Sequence, residues 1–331
     1  MANNSQVTFV CCVESGSLET QTIRMIESLR RWGGRFASSP VYAVTPRFGS
    51  PISKQTRQIF DKFQVEYIRF QEPSQYSWNK FLNKLLALSA VEKLAKTEYV
   101  GWLDSDLLIV NEPDQFIFDV NDNFLACPSD KLNIGTSGKE DPNDLYWQEI
   151  CRCLGINIEN LPWINSEPEG IKIRFYLNSG VFIYRRSTNF AQHYLQTFIR
   201  LCDSCIASQD AGFFFNDQVA LGLTVVKMGI SWRTLPYSHN FAICSSIPAY
   251  WYNVEQLKNA KIIHYHDSMW YWFWDTFLES MNQSHPDVGQ WLTSIGMMQN
   301  HAPIQWRATK KILDFRRKKQ ESAYLQSCRK V

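Results

Sequence analysis

Apolar positions in the first third of the chain alternate between two periods. Val7, Phe9, Val10, Cys11 and Val13 form a short β-rich run closed by the polar turn Glu14-Ser15-Gly16-Ser17, and a helix is predicted over 19–32 with Gly33-Gly34 as its stop. Residues 40–45 read as a second strand, 53–63 as a helix and 65–70 as a third strand. Trp78, Phe81, Leu82, Leu85 and Leu88 then recur at helical spacing and lead into the apolar run 99–110. This β-α-β-α-β-α-β order predicts an α/β fold: a doubly wound, mainly parallel, Rossmann-like sheet with helices on both faces and a ligand site at the C-terminal ends of its strands.

The second half is more polar. Residues 129–170 carry prolines, glycines and the aromatics Tyr146, Trp147 and Trp163, a stretch too long for a plain connection and read as a substrate-side insertion. Residues 175–184 form a strand pattern broken by Asn178-Ser179-Gly180, and a glycine inside a strand predicts a bulge or a close approach of backbone to a ligand. Helices are predicted over 188–202 and 217–228, the second with Asn216 as its N-cap and Asp217 at the positive end of its dipole. A last apolar run, 260–265, ends in His264, Tyr265, His266 and Asp267.

The chemistry sits where apolar runs end. Asp104 and Asp106 are two carboxylates one residue apart at the exit of a buried strand, where like charges repel unless a cation lies between them. Acidic oxygen ligands favour Mg2+ or Mn2+, and two neutral imidazoles at His264 and His266 are further candidate ligands. The loop after the first strand has no Gly-x-Gly-x-x-Gly cradle, which disfavours both a dinucleotide-binding domain and a sugar nucleotidyltransferase. A two-metal phosphohydrolase needs more acidic and histidine ligands than the chain assembles.

Composition adds bounds. With 331 residues, 45% of them hydrophobic, the chain can bury a large core, and no run approaches the ~20 apolar residues of a membrane span. Nine scattered cysteines suit a reducing cytoplasm, and Cys151-x-Cys153 with Cys202-x-x-Cys205 match no common zinc module, so buried thiols are expected. The net charge of +2 conceals an uneven distribution: residues 307–331 hold nine basic and two acidic side chains, leaving that stretch at +7 and the remainder at −5. Its charge suits anionic lipid headgroups, nucleic acid or a phosphorylated substrate. Its apolar Trp306, Ile312, Leu313 and Phe315 do not gather on one helical face, which weakens the membrane-surface reading, so it reads as a solvated, partly helical extension.

Taken in order, Asp104-Ser105-Asp106, Asn178-Ser179-Gly180-Val181, Asn216-Asp217-Gln218 and Ile262-Ile263-His264-Tyr265 resemble the motifs of the GT-A nucleotide-sugar glycosyltransferases, in particular the glycogenin and bacterial lipopolysaccharide galactosyl- and glucosyltransferase family, over roughly residues 7–270. The resemblance implies a GT-A fold and a hexosyltransferase that takes its sugar from a nucleoside diphosphate, UDP above all, with retention. It implies that Asp104, Asp106 and His264 hold Mn2+ or Mg2+. Asp217, Gln218 and Asn178 would be catalytic, and Glu14, Lys84, Asp104, Ser105, Ser179, Gly180, His266 and Trp270 would bind the donor. Asn83-Lys84 resembles a pair found upstream of the acidic motif in such enzymes. The chain departs from the pattern after His264, where relatives carry Gly and then Lys-Pro-Trp; here His266 or Lys84 is expected in place of the phosphate-binding lysine.

The expected organisation is a catalytic domain over 1–275, with a nucleotide-binding half at 1–110 and an acceptor half at 111–275, and a helical basic extension over 276–331. The expected partners are the nucleotide-sugar donor and a carbohydrate, lipid-linked or protein acceptor, in the cytoplasm or at its membrane surface, with no nucleic acid. The competing reading is a non-catalytic nucleotide-sugar and metal-binding protein of the same fold.

Overall fold

A computed structural model describes residues 7–132, 134–246, 253–300 and 302–331. The chain runs β1 (Val7–Cys12), α1 (Ser17–Trp32), β2 (Val41–Thr45), α2 (Lys54–Lys62), β3 (Val65–Arg69), α3 (Leu82–Leu94), β4 (Tyr99–Leu103) and β5 (Leu107–Ile109). Next come β6 (Phe124–Pro128), α4 (Asp144–Leu154), β7 (Trp163–Ser166), β8 (Ile171–Arg174), β9 (Leu177–Arg185), α5 (Phe190–Asp203), β10 (Ile206–Ala207), α6 (Asn216–Met228) and β11 (Trp232–Thr234). The last elements are β12 (Phe241–Ala242), α7 (Val254–Lys258), β13 (Ile262–His264), α8 (Trp274–Ser284), α9 (Pro286–Ile295), α10 (Ile304–Ser327) and β14 (Arg329–Lys330).

The central sheet has the order β3-β2-β1-β4-β9-β6-β11. Its β3-β2-β1-β4 half is parallel, as the strand–helix alternation predicts, and β9 runs antiparallel between β4 and β6. Side chains of β4 alternate between the two layers: Val100 and Trp102 join the cluster under α3, α5 and α6, while Tyr99 and Leu103 join the cluster under α1 and α2. A smaller sheet, β12-β13-β5, packs against α8 and α9 through a third cluster that includes Tyr265, Phe277 and Leu292. At the start of α1, Gly16 takes a φ of 111°, which a side chain would strain, and its N–H donates to Glu19 Oε1 at 3.1 Å.

Three expectations change and one holds. Trp78 and Phe81 precede α3 rather than belonging to it, and the Trp78 ring packs 5.0 Å from Tyr324. Asn216 lies inside α6, with Phe215 at the cap position, and its Oδ1 accepts from the Tyr146 hydroxyl at 3.0 Å. The expectation that holds is the bulge: β4 and β9 pair regularly down to Leu103 opposite Val181, but against β6 the register steps from Ala126 opposite Phe182 to Pro128 opposite Leu177, so the extra residues lie on β9 and include Asn178-Ser179-Gly180. The tail is not simply solvated. No α10 residue is buried, but Tyr324, Leu325 and Val331 pack against the main core and β14 pairs with β10. Among the described residues no helix is long and apolar enough to cross a membrane.

Candidate active site

The exits of β4 and β13 and the start of β9 converge. Asp104 N–H donates to Gly180 O at 2.9 Å and Tyr265 N–H to Asp106 O at 3.0 Å, so the acidic turn is stitched to both neighbouring strands. A Cβ on Gly180 would lie 2.8 Å from His264 Cε1, so the imidazole leaves no room for a side chain at this position. The result is a cleft of 530 Å3 whose lining includes Asp104, Asp106, Asn178, Ser179, Gly180, Asp217, Gln218, His264 and His266.

Asp106 is bracketed by imidazoles: His264 Nε2 lies 3.3 Å from Oδ1 and His266 Nδ1 3.9 Å from Oδ2, with the two rings stacked at 3.9 Å. His264 Nδ1 faces Asn240 Oδ1 at 3.1 Å, which directs Nε2 at the carboxylate. Burial opposes the Asp106 charge, yet His264 holds its carboxyl well below the usual range. His264 is in turn raised: burial disfavours its cation, and Asp106 more than offsets this. Burial and the neighbouring His264 push His266 down to about 3. Among the described residues these three side chains are grouped closely enough to share a metal ion. One carboxylate with two imidazoles fits Mn2+ better than Mg2+, since magnesium prefers an all-oxygen shell.

Asp104 points the other way. Its Oδ1 accepts from Trp102 Nε1 at 2.6 Å and lies 3.4 Å from Lys84 Nζ. Burial raises the Asp104 pKa, with Lys84 opposing and Asp106 adding to the rise. Lys84 is buried and donates to Ser179 O at 2.8 Å, Ser179 Oγ at 2.8 Å and Asp217 Oδ2 at 3.0 Å. Its three protons thus have protein acceptors, and it bridges Asp104 to Asp217 instead of standing free for a phosphate. Asp217 also accepts from Ser179 Oγ at 2.7 Å. Gln218, more exposed, accepts from Ser179 N at 3.1 Å and donates to the Tyr176 hydroxyl at 2.8 Å, and Asn178 Oδ1 accepts from Gly180 N at 2.8 Å.

Three candidates lie off this cleft. Ser105 Oγ turns away to donate to Cys12 O at 2.8 Å. Glu14 lies at the exits of β1 and β2, paired with Arg47 at 2.5 and 2.9 Å and reached by Asn83 Nδ2 at 2.9 Å. Trp270 stacks on Trp272 at 5.7 Å and packs against the third cluster. Sequence reasoning misses Asn240, Tyr176 and Asp130. Asn240 and Asp130 are polar loop residues with no spacing to flag them; Tyr176 reads as an ordinary strand aromatic. The rim formed by Phe81 and Phe214, whose rings meet at 5.2 Å with Lys80 over both, also carries no pattern.

Asp130 lines the cleft, and burial, reinforced by Glu169, raises it to about 6. Between its ordinary value and about 6 the folded state binds more protons than the unfolded state, so this group's contribution to stability falls as pH rises through that window. Asp130→Asn keeps the acceptor for Leu132 N–H and removes the charge. It is expected to stabilise the protein by about 1–2 kcal/mol at pH 7.5, discounted for partial exposure, and by nothing measurable near pH 4. Urea unfolding at both pH values checks this; equal gains at both would show that the charge is not the cause.

The family model of a Rhodobacterales glycosyltransferase domain matches residues 9–229, a span that holds Asp104, Asp106, Asn178, Asp217 and Gln218 and stops short of His264. Among solved structures, the WbbM bifunctional glycosyltransferase is 12% identical with a TM-score of 0.50, over 85% of this chain and 50% of that one, so the chain spans half the length of that relative. The glycosyltransferase GlyE of Streptococcus pneumoniae TIGR4 is 16% identical, TM-score 0.47, over 90% of this chain and 66% of that one. The galactosyltransferase LgtC, solved with donor and acceptor sugar analogs, is 12% identical, TM-score 0.45, over 91% of this chain and 99% of that one. No curated protein matches the sequence. The chain belongs to the Rhodobacterales glycosyltransferase domain family and is a glycosyltransferase of the GT-A fold.

Proposed function

We propose that the enzyme transfers a hexose from a nucleoside diphosphate sugar, UDP-hexose first among candidates, to a hydroxyl-bearing acceptor with retention, and that it requires a divalent cation. The observation that carries this reading is the single cleft in which Asp106, His264 and His266 face Asp217 and Gln218. Mn2+ held there would supply positive charge to offset the negative charge that develops on a departing nucleoside diphosphate. Asp106, His264 and His266 would hold it, with Asp104 turned toward the donor beside Lys84. Gln218, fixed at both ends by Ser179 N–H and Tyr176, presents its amide to the sugar carbon as positive charge develops there. Asp217 is buried beneath Lys84 and Ser179 and acts by holding them in place. Asn178 orders the Gly180 backbone beside His264.

The expected boundary at 275/276 falls inside α8, and because α8 and α9 pack against the sheet that carries His264 they serve with the catalytic unit, leaving α10 and β14 as the appended element. A thermal-shift screen of UDP-, GDP-, CMP- and TDP-sugars with and without Mn2+ tests the donor assignment: a UDP-hexose is expected to raise the melting temperature only with Mn2+, by mass action. Equal shifts without metal would contradict it, and saturable binding with no nucleotide release would favour a non-catalytic binder.

For the acceptor, we favour a lipid-linked sugar at a cytoplasmic membrane surface. On α10 the exposed Ile312 and Phe315 stand among exposed Lys311, Arg316, Lys318 and Lys319. Each basic residue near an anionic surface contributes about 1 kcal/mol, screened by salt. Cosedimentation with acidic vesicles is expected at low salt and lost at high salt; no binding at low salt would leave a soluble sugar or protein as acceptor.

A further inference from the structure

The end of the chain returns to the catalytic body beside a cluster of thiols. Cys202 lies in the last turn of α5, Cys205 two residues beyond that helix, and Cys328 directly after α10. β14 lies parallel to β10, with Ile206 opposite Arg329 and Ala207 opposite Lys330. Arg329 N–H donates to Cys205 O at 2.8 Å, so the same register carried one residue back sets Cys205 beside Cys328. Both thiols are half-buried and both are free. Cys205 also holds a φ of 48°, a left-handed conformation that a cysteine keeps only where its surroundings enforce it.

What this corner anchors is α10. That helix buries no residue of its own, yet Trp306, Arg307, Lys310 and Arg317 wall a pocket of only 30 Å3 at the exits of β1 and β2, opposite Glu14 and Arg47. Arg317 donates to Phe48 O at 2.8 Å near that pocket. At the other end, the Tyr324 hydroxyl donates to Cys202 O at 2.7 Å, its ring packs against Trp78 and Phe213, and β14 completes the attachment.

We propose that Cys205 and Cys328 form a disulfide that fastens the C-terminal strand to β10 and thereby holds α10 over the pocket at the β1 and β2 exits. The oxidant is a low-molecular-weight disulfide such as oxidised glutathione. The thiolate of one cysteine attacks a sulfur of the reagent and releases one small thiol. The thiolate of the second then attacks the mixed disulfide and releases the other, so the protein loses two protons and two electrons and the reagent becomes two thiols. The crosslink closes a long loop, which limits the excursions by which α10 leaves the body. A disulfide in a cytosolic protein is a redox-responsive bond more often than a permanent one.

The test uses the full chain equilibrated with oxidised or reduced glutathione, followed by alkylation and mass spectrometry. Two of the nine thiols are expected to disappear on oxidation, with one crosslinked peptide pair joining Cys205 to Cys328. Trypsin cleavage within the basic α10 is expected to slow at least about tenfold in the oxidised form, because cleavage follows the population of the opened helix. Cys328→Ser, and separately Cys205→Ser, should keep the fast cleavage in oxidant. Nine reactive thiols after oxidation, a persistent glutathione adduct, a Cys202–Cys205 pairing, or equal trypsin rates in both redox forms would each overturn the proposal.

Discussion

Asp106→Asn is expected to lower metal-dependent donor cleavage by about 1,000-fold or more in kcat, since cation charge stabilisation of a leaving diphosphate is worth several kcal/mol. The carboxylate contacts both imidazoles, so its loss removes the anionic member of the set while the amide still fills the space. The fold should survive by circular dichroism, but with a lower melting temperature than wild type. Repulsion between Asp104 and Asp106 alone would predict the opposite sign; His264, however, holds Asp106 well below the ordinary carboxylate range despite its burial, so the folded state stabilises the anion. Initial rates of nucleoside diphosphate release over a Mn2+ titration measure the effect. Rates within tenfold of wild type at saturating metal would remove Asp106 from the cation site.

The second large effect is structural. Lys84→Met is expected to cost about 3 kcal/mol or more, because removing one partner of a buried ion pair leaves the other uncompensated. Lys84 is raised above its ordinary pKa: burial works against its charge, and Asp104 and Asp217 more than restore it. Without the ammonium, Asp217 Oδ2 keeps only the Ser179 hydroxyl, and Ser179 O loses its donor from Lys84. Urea unfolding measures the loss, and Asp217→Asn in the Lys84→Met background should return part of it by removing the stranded charge. A midpoint unchanged by Lys84→Met would mean that the bridge carries no net stability.

The parts of the site that sequence reveals are those where an apolar run ends in polar chemistry. Asp104-Ser105-Asp106 and His264 stand at the exits of β4 and β13, and Asn178-Ser179-Gly180 at the start of β9, which reaches the same edge because β9 runs antiparallel to β4. Direction within that edge is not legible. Ser105 turns toward Cys12 and Asp104 toward Lys84, while His266 joins Asp106, because backbone contacts across β4, β9 and β13 set the aim of each side chain. Helical spacing misleads at Trp78 and Phe81, where the apolar side chains serve tertiary contacts: Trp78 meets Tyr324 from the far end of the chain and Phe81 meets Phe214 on the cleft rim. The docking of β14 on β10 is likewise set by two distant two-residue segments, too short for any periodic signal.

The most direct measurement is the initial rate of UDP release from UDP-hexose by protein stripped of metal with EDTA, before and after Mn2+ is restored. A transferase working through Asp106, His264 and His266 is expected to show negligible release when stripped and recovery on titration, with the Mn2+ requirement rising steeply in His264→Ala. Release that is undiminished in EDTA and indifferent to added Mn2+ would contradict it.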